Sequence, residues 1–179
     1  MPPITNDPAS IDKLKLFAQY SAAAYCKSVI DSPAATTKVV CSVGNCPLVE
    51  AADTSLLYTF DGVGGHDIAG FVAVDQTNEF FIVSFRGTVP TLVKNDLDDF
   101  DVIPVSYWRC DRCLVHQGFL ESWNVVSEAI EDTIFVNQND YAGYPIMVTG
   151  HSYGAAVATI AAMDLRDLFH QDVVRIRCD

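Results

Sequence analysis

A chain of 179 residues, half of them hydrophobic, is long enough to bury one sizeable core. Its formal charge of −12 argues against nucleic acid and against an anionic membrane surface, because phosphate recognition needs a basic face. No stretch reaches the roughly eighteen consecutive apolar residues of a membrane span.

The first helix is expected from Ile11 to about Cys26, with Ser10 as its N-cap and Leu14, Phe17 and Ala18 on one face. Thr36 to Leu48 reads as irregular, and there Cys41 and Cys46 enclose a turn-like Ser-Val-Gly-Asn. Leu56–Phe60 and Gly70–Val74 read as strands on either side of the Gly-rich turn Gly62–Gly65. Phe80–Phe85 is a continuous apolar run, the pattern of a strand buried on both faces. Residues 101–105 are expected as another short strand. Cys110 and Cys113 enclose only Asp-Arg. Short loops of this kind suit local disulfides. The alternative for Cys110 and Cys113, a zinc half-site, lacks a second cysteine or histidine pair at ligand spacing. Six cysteines in an acidic chain point to an oxidising compartment, although Met1 to Thr5 carries neither a charged nor an apolar leader region. From Gly118 to about Phe135, Leu120, Trp123, Val126, Ile130 and Ile134 recur at helical intervals and predict one amphipathic helix. Val173 to Arg177 reads as a final strand. Tyr25 and Trp123 fit the core, or could line a pocket.

The apolar run Pro145–Thr149 reads as a short buried strand, and the residues from Gly154 onward as a helix. Between them lies Gly150-His151-Ser152-Tyr153-Gly154, a G-x-S-x-G pentapeptide where a nucleophile elbow would stand. A serine on so sharp a turn needs tiny neighbours two positions away, which Gly150 and Gly154 supply. The strand Phe80–Phe85 ends in Arg86-Gly87-Thr88. Acyl transfer needs donors aimed at the oxyanion that forms when serine attacks an ester carbonyl. The amide of Tyr153 and a group from the Thr88 loop are the candidates, and the Thr88 hydroxyl could add a further donor. The bland readings are an ordinary Gly-Ser turn and a threonine cap at the end of a strand.

With Phe85-Arg86-Gly87-Thr88, Val115-His116-Gln117-Gly118-Phe119 through Trp123, and Val148 to Ala156 in view, the chain resembles the class 3 fungal lipases and related feruloyl esterases. The resemblance extends over most of the chain. It implies an α/β-hydrolase fold, with a mostly parallel central sheet and flanking helices, and hydrolysis of carboxylic esters by a Ser-Asp-His triad. By carry-over Ser152 is the nucleophile, Thr88 and Tyr153 form the oxyanion hole, and His151 supports the elbow without being the base. Disulfides Cys41–Cys46 and Cys110–Cys113 fall where the family has two short-range bridges. The family's properties further imply secretion and a neutral ester or lipid substrate, met at a lipid–water interface, with no cofactor and no metal.

Three departures from the family pattern stand out. The lid stretch, Val89 to Leu97, has no aromatic residue and is short, leaving Leu92, Val93 and Leu97 as weak lipid contacts. Asp96, Asp98, Asp99 and Asp101 beside it could suggest calcium, but they lack the EF-hand pattern and read as a solvated turn. No acid and base for the triad follow the serine. His170 lies at the far end of the elbow helix, over about 20 Å from Ser152 at about 1.5 Å per residue. Asp164, Asp167 and Asp172 fail on similar grounds, and His66 and His116 precede the serine. Third, the expected single domain over 1–179 lacks the C-terminal part of the sheet, which in the family carries the acid, the base and a cysteine partner for Cys26. Cys178 could pair with Cys26 instead. Two functional classes stay open at this level: a secreted serine ester hydrolase, or a hydrolase-like protein with little catalysis that only binds lipid or ester.

Overall fold

The computed structural model describes residues 8–33, 37–89, 103–169 and 174–178. The lid stretch beyond Val89, the acidic residues Asp96, Asp98, Asp99 and Asp101, and His170 and Asp172 lie outside them. Helix α1 (Pro8–Ala23) is followed by the short helix α2 (Lys27–Ile30), strand β1 (Thr37–Lys38) and helix α3 (Pro47–Ala51). Strands β2 (Thr54–Asp61), β3 (Ala69–Asp75) and β4 (Phe80–Phe85) come next. A two-stranded ribbon, β5 (Pro104–Ser106) with β6 (Leu114–His116), leads into helices α4 (Gln117–Asn124) and α5 (Ser127–Asn137). Strand β7 (Ile146–His151), helix α6 (Tyr153–Phe169) and strand β8 (Val174–Cys178) complete the order.

The main sheet runs β1-β2-β3-β4-β7-β8. It is mixed. From β1 to β4 neighbours are antiparallel, while β4, β7 and β8 are parallel, so the parallel character expected of the sheet belongs to the half that carries Ser152. Every residue of β3 and of β4 is buried, as the unbroken apolar run Phe80–Phe85 requires. Alternation then sorts their side chains into two cores. Phe81, Val83 and Phe85 join Val72 and Val74 in a cluster with Trp123, Ile130, Ile134, Val157 and Leu165. Phe80 and Ile82 join Phe71 and Ala73 against Phe17, Tyr20 and Val29. Helices therefore cover both faces of the sheet. Each such fully buried side chain stabilises the fold by roughly 1.5–3 kcal/mol.

Several element boundaries differ from the sequence reading, each for a local reason. Helix α1 starts at Pro8 and contains Ser10, so Ser10 is not its N-cap; a proline in the first turn gives up no helical hydrogen bond. The helix expected over Gly118–Phe135 is two helices, because Val125 and Val126 turn the chain and Val126 adopts φ −118°. The apolar interval survives the break, since Trp123, Val126, Ile130 and Ile134 all face the same core. The stretch read as irregular holds β1 and α3, the latter opened by Pro47 and capped by the Cys46 backbone. The short strand expected over 101–105 is β5, at Pro104–Ser106.

The buried carboxylates Asp75 and Asp164 are both paired. Asp75 accepts from the Tyr20 hydroxyl at 2.7 Å and from the Asn78 side chain at 2.7 Å. Asp164 accepts from Trp123 Nε1 at 2.6 Å, Arg109 Nε at 2.9 Å and the Tyr107 hydroxyl at 2.5 Å. Burial, reinforced by Asp75 and by Asp164, pushes the Tyr20 and Tyr107 phenols well above the usual tyrosine range. The unfolded chain releases these protons near pH 10, the folded chain does not, and stability is therefore lost as pH rises above about 10. Urea midpoints measured between about pH 9 and about pH 11 should fall steadily, and Tyr20→Phe should flatten the slope.

Candidate active site

Ser152 is the single residue between the last residue of β7 and the first of α6, and its φ is +53°. Such a left-handed conformation strains any side-chain-bearing residue by about 1–2 kcal/mol. The turn is held by the Ser152 carbonyl, which accepts from the Ala155 amide at 2.9 Å and the Ala156 amide at 3.3 Å. The side chain of Ser152 stays exposed to solvent.

The glycines flanking the serine are required by close approach. A Cβ on Gly154 would stand 2.5 Å from the Phe85 carbonyl oxygen and 2.6 Å from that of Arg86. A Cβ on Gly150 would run into the Gly154 carbonyl. The first turn of α6 thus sits directly on the end of β4. Gly154→Val is expected to leave little folded protein, since both obstacles are backbone atoms that cannot rotate away; soluble yield and near-ultraviolet circular dichroism report it.

Because β4 and β7 are parallel, with Phe85 opposite Gly150, their C-terminal ends open onto the same edge of the sheet. Thr88, three residues past Phe85, and Ser152, two past Gly150, leave from that edge. A Cβ on Gly87, the residue before Thr88, would be 3.2 Å from Ser152 Cβ. Tyr153 opens α6, where first-turn amides have no intrahelical acceptor and the helix dipole favours negative charge. Ser152 and Tyr153 thus leave from the same edge as Thr88, and Gly87 beside it lies against Ser152. Such an arrangement can present a hydroxyl to an electrophilic carbonyl and set amide donors around the oxygen that becomes negative.

The surroundings brace this edge. Arg86 reaches back to Asp61 at 3.3 Å and Asp67 at 2.5 Å, tying the Thr88 loop to the β2–β3 connection. The Tyr153 hydroxyl is hydrogen-bonded to Ser122 of α4, and its ring meets Phe119 edge-on at 5.2 Å. Burial raises the Tyr153 phenol above its ordinary range. His116 Nδ1 accepts from the Gly118 amide at 3.1 Å and its ring lies 4.4 Å from Phe119. His151 Nδ1 is 2.9 Å from the Tyr25 hydroxyl. No hydrogen bond joins Ser152 Oγ to His66, His116 or His151 among the described residues.

Cys41–Cys46 and Cys110–Cys113 are disulfides, the second closing the turn between β5 and β6. The zinc alternative for Cys110 and Cys113 falls with it. Cys26 is a buried thiol whose Sγ donates to Asn45 Oδ1 at 3.2 Å; burial raises its pKa. Two residues, Tyr25 and Asp164, acquire a role that the sequence did not show. Trp123 is fully buried and bonded to Asp164, so it belongs to the core, whereas Tyr25 stands beside the serine. Asp164 was weighed only as a failed triad member. Its signal was its phase: it falls three, four and seven residues after Ala161, Ile160 and Val157, on the buried face of α6.

Comparison with known proteins agrees with this geometry. Residues 82–178 match the family described as lipase (class 3), and residues 9–58 match the lipase 3 N-terminal region. Secreted mono- and diacylglycerol lipase A of Penicillium cyclopium is 37% identical over 162 residues, which cover 88% of this chain and 51% of that protein. Secreted mono- and diacylglycerol lipase 1 of Fusarium solani is 32% identical over 167 residues, covering 91% of this chain and 47% of that one. The chain thus spans about half the length of the curated relatives it matches. The crystal structure of mono- and diacylglycerol lipase from Aspergillus oryzae superposes with a TM-score of 0.83 at 38% identity, over 93% of this chain and 60% of that structure. The fold is that of the α/β-hydrolases, and the chain belongs to the class 3 lipase family.

Proposed function

We propose that this chain carries the nucleophile and oxyanion half of a carboxylic-ester hydrolase acting on neutral acylglycerols. The observation that supports it most is the left-handed Ser152 between β7 and α6, set beside the Gly87–Thr88 turn at the end of β4. Ser152 Oγ attacks the ester carbonyl, its proton passing through the base to the glycerol oxygen that leaves as an alcohol when the C–O bond breaks. Water then hydrolyses the acyl-enzyme, releasing the fatty acid and returning the proton to Ser152. The amides of Tyr153 and Thr88, with the Thr88 hydroxyl, hold the oxyanion. In hydrolases of this fold the acid and then the histidine follow the serine in the chain, so the proton acceptor is expected after Ser152 and not among His66, His116 and His151. The names of the relatives support a mono- or diacylglycerol substrate, and a net charge of −12 suits a neutral lipid better than a polyanion. The two disulfides and the relatives named as secreted support an extracellular setting. No helix among the described residues is long and apolar enough to cross a membrane. The relatives named as lipases favour this reading over a non-catalytic, binding-only one.

The test is covalent capture. A p-nitrophenyl alkyl phosphonate should release nitrophenol stoichiometrically and mass-label the peptide containing Ser152, while Ser152→Ala should stay unlabelled. Equal labelling of the two proteins, or none of the wild type with the acid and histidine of the triad in place, would reject the assignment. Hydrolysis of short and long p-nitrophenyl esters by the same proteins then ranks acyl-chain preference.

A further inference from the structure

The Tyr25 hydroxyl touches both loops of the candidate site. On one side it is 2.9 Å from Nδ1 of His151, the residue before the serine, with the two rings edge-on at 5.9 Å. On the other it lies against Gly87, where a Cβ would collide with the Tyr25 oxygen. The same Cβ would be 2.5 Å from the His151 carbonyl oxygen. Gly87 is buried, so this junction is a packed one.

The support beneath Tyr25 is itself fixed by hydrogen bonds. Just before it in the chain, the Tyr20 carbonyl accepts from Ser84 Oγ of β4 at 2.9 Å. Ser21 Oγ lies 2.8 Å from Thr149 Oγ1 of β7, both side chains being buried. The segment that presents Tyr25 is therefore tied to the two strands whose ends carry Thr88 and Ser152. A phenol can donate one hydrogen bond and accept others, which suits a group placed between two loops. Burial raises the Tyr25 pKa, against a backbone hydrogen bond from Gly87 and the charge of Arg86, so the hydroxyl keeps its proton at neutral pH.

We infer that Tyr25 is a positioning residue that sets the spacing between the Thr88 loop and Ser152, and through it the geometry of the oxyanion hole. The inference rests on the reading of Ser152 as nucleophile. An oxyanion donor works only at hydrogen-bond distance from where the charge develops, and about 1 Å of misplacement can lower a rate on the order of a hundredfold. Loss of one tether should displace the loop by less than that.

Tyr25→Phe keeps the ring and removes the tether. Phosphonate labelling of Ser152 and kcat on a short p-nitrophenyl ester are expected to fall about tenfold, with KM within about twofold of wild type. Rates are taken per folded molecule, because a merely structural role would lower Tm and leave them unchanged. If Tyr25→Phe does not fold, His151→Ala, which trims an exposed side chain and cuts one arm of the bridge, should slow labelling about threefold. Labelling at the wild-type rate in the folded variant, with Ser152→Ala unlabelled, overturns the role of Tyr25 and leaves the nucleophile standing. A wild-type chain that is not labelled at Ser152 overturns both.

Discussion

With the acid and base of the triad in place, Ser152→Ala is expected to abolish phosphonate capture and to lower ester turnover on the order of 10⁴-fold or more. The magnitude follows from what remains. Without Oγ no acyl-enzyme forms, and the donors at Tyr153 and Thr88 can only assist direct attack by water. Stability should move little, because alanine meets the same left-handed strain as serine at φ +53°. Ser152→Gly separates the two effects. It should be equally inactive yet more stable by about 1 kcal/mol, since glycine adopts positive φ without penalty. A higher urea midpoint for the glycine variant than for the alanine variant would measure the strain held at this turn. Equal midpoints would mean the surrounding contacts have relieved it.

Asp164→Ala is expected to destabilise the fold by about 3–5 kcal/mol while sparing the site chemistry of whatever remains folded. One carboxylate serves Trp123, Arg109 and the Tyr107 hydroxyl, drawing α4 and the segment after β5 onto α6. Truncation leaves the Trp123 and Tyr107 donors buried without an acceptor, while Arg109 keeps Asp167, at 3.2 Å, and its place over the Trp108 ring. Asp164→Asn retains one acceptor oxygen and should lose roughly half as much. Denaturant midpoints read the two variants directly. A loss below about 1 kcal/mol for the alanine variant would mean that water takes the place of the carboxylate.

The parts of the structure that were legible in the sequence are those where one physical requirement leaves few solutions. The run Phe80–Phe85 admits little but a strand covered on both faces, and it is one. The glycines around Ser152 betray the turn because their missing side chains are filled by backbone from β4 and α6. Thr88 stands out by what an ester oxyanion needs, and its neighbour Gly87 lies against Ser152. Less legible were features decided by distant packing. Nothing in the interval from Leu120 to Ile134 marks the break at Val125, since both helices keep the same apolar stripe against the same core. Asp164 carries only the phase of the buried face of α6, and its role shows when Trp123 and Arg109 are placed around it. Tyr25 could be read only as a core or pocket aromatic, because its partners lie 126 residues away at His151 and next to Thr88 at Gly87.

Those separations carry a consequence for the order of assembly. Ser21 meets Thr149, and Tyr25 meets His151, across intervals of 128 and 126 residues. Closing loops of that length is slow relative to forming local helices and hairpins, so the docking of α1 onto β7 is expected among the last events of folding. A growing chain would thus finish its antiparallel strands well before its reactive serine is clamped. The hydroxyl would become chemically competent only when the segment around Tyr25 has met the end of β7. Pulse labelling with a phosphonate during refolding should accordingly lag behind the recovery of secondary structure.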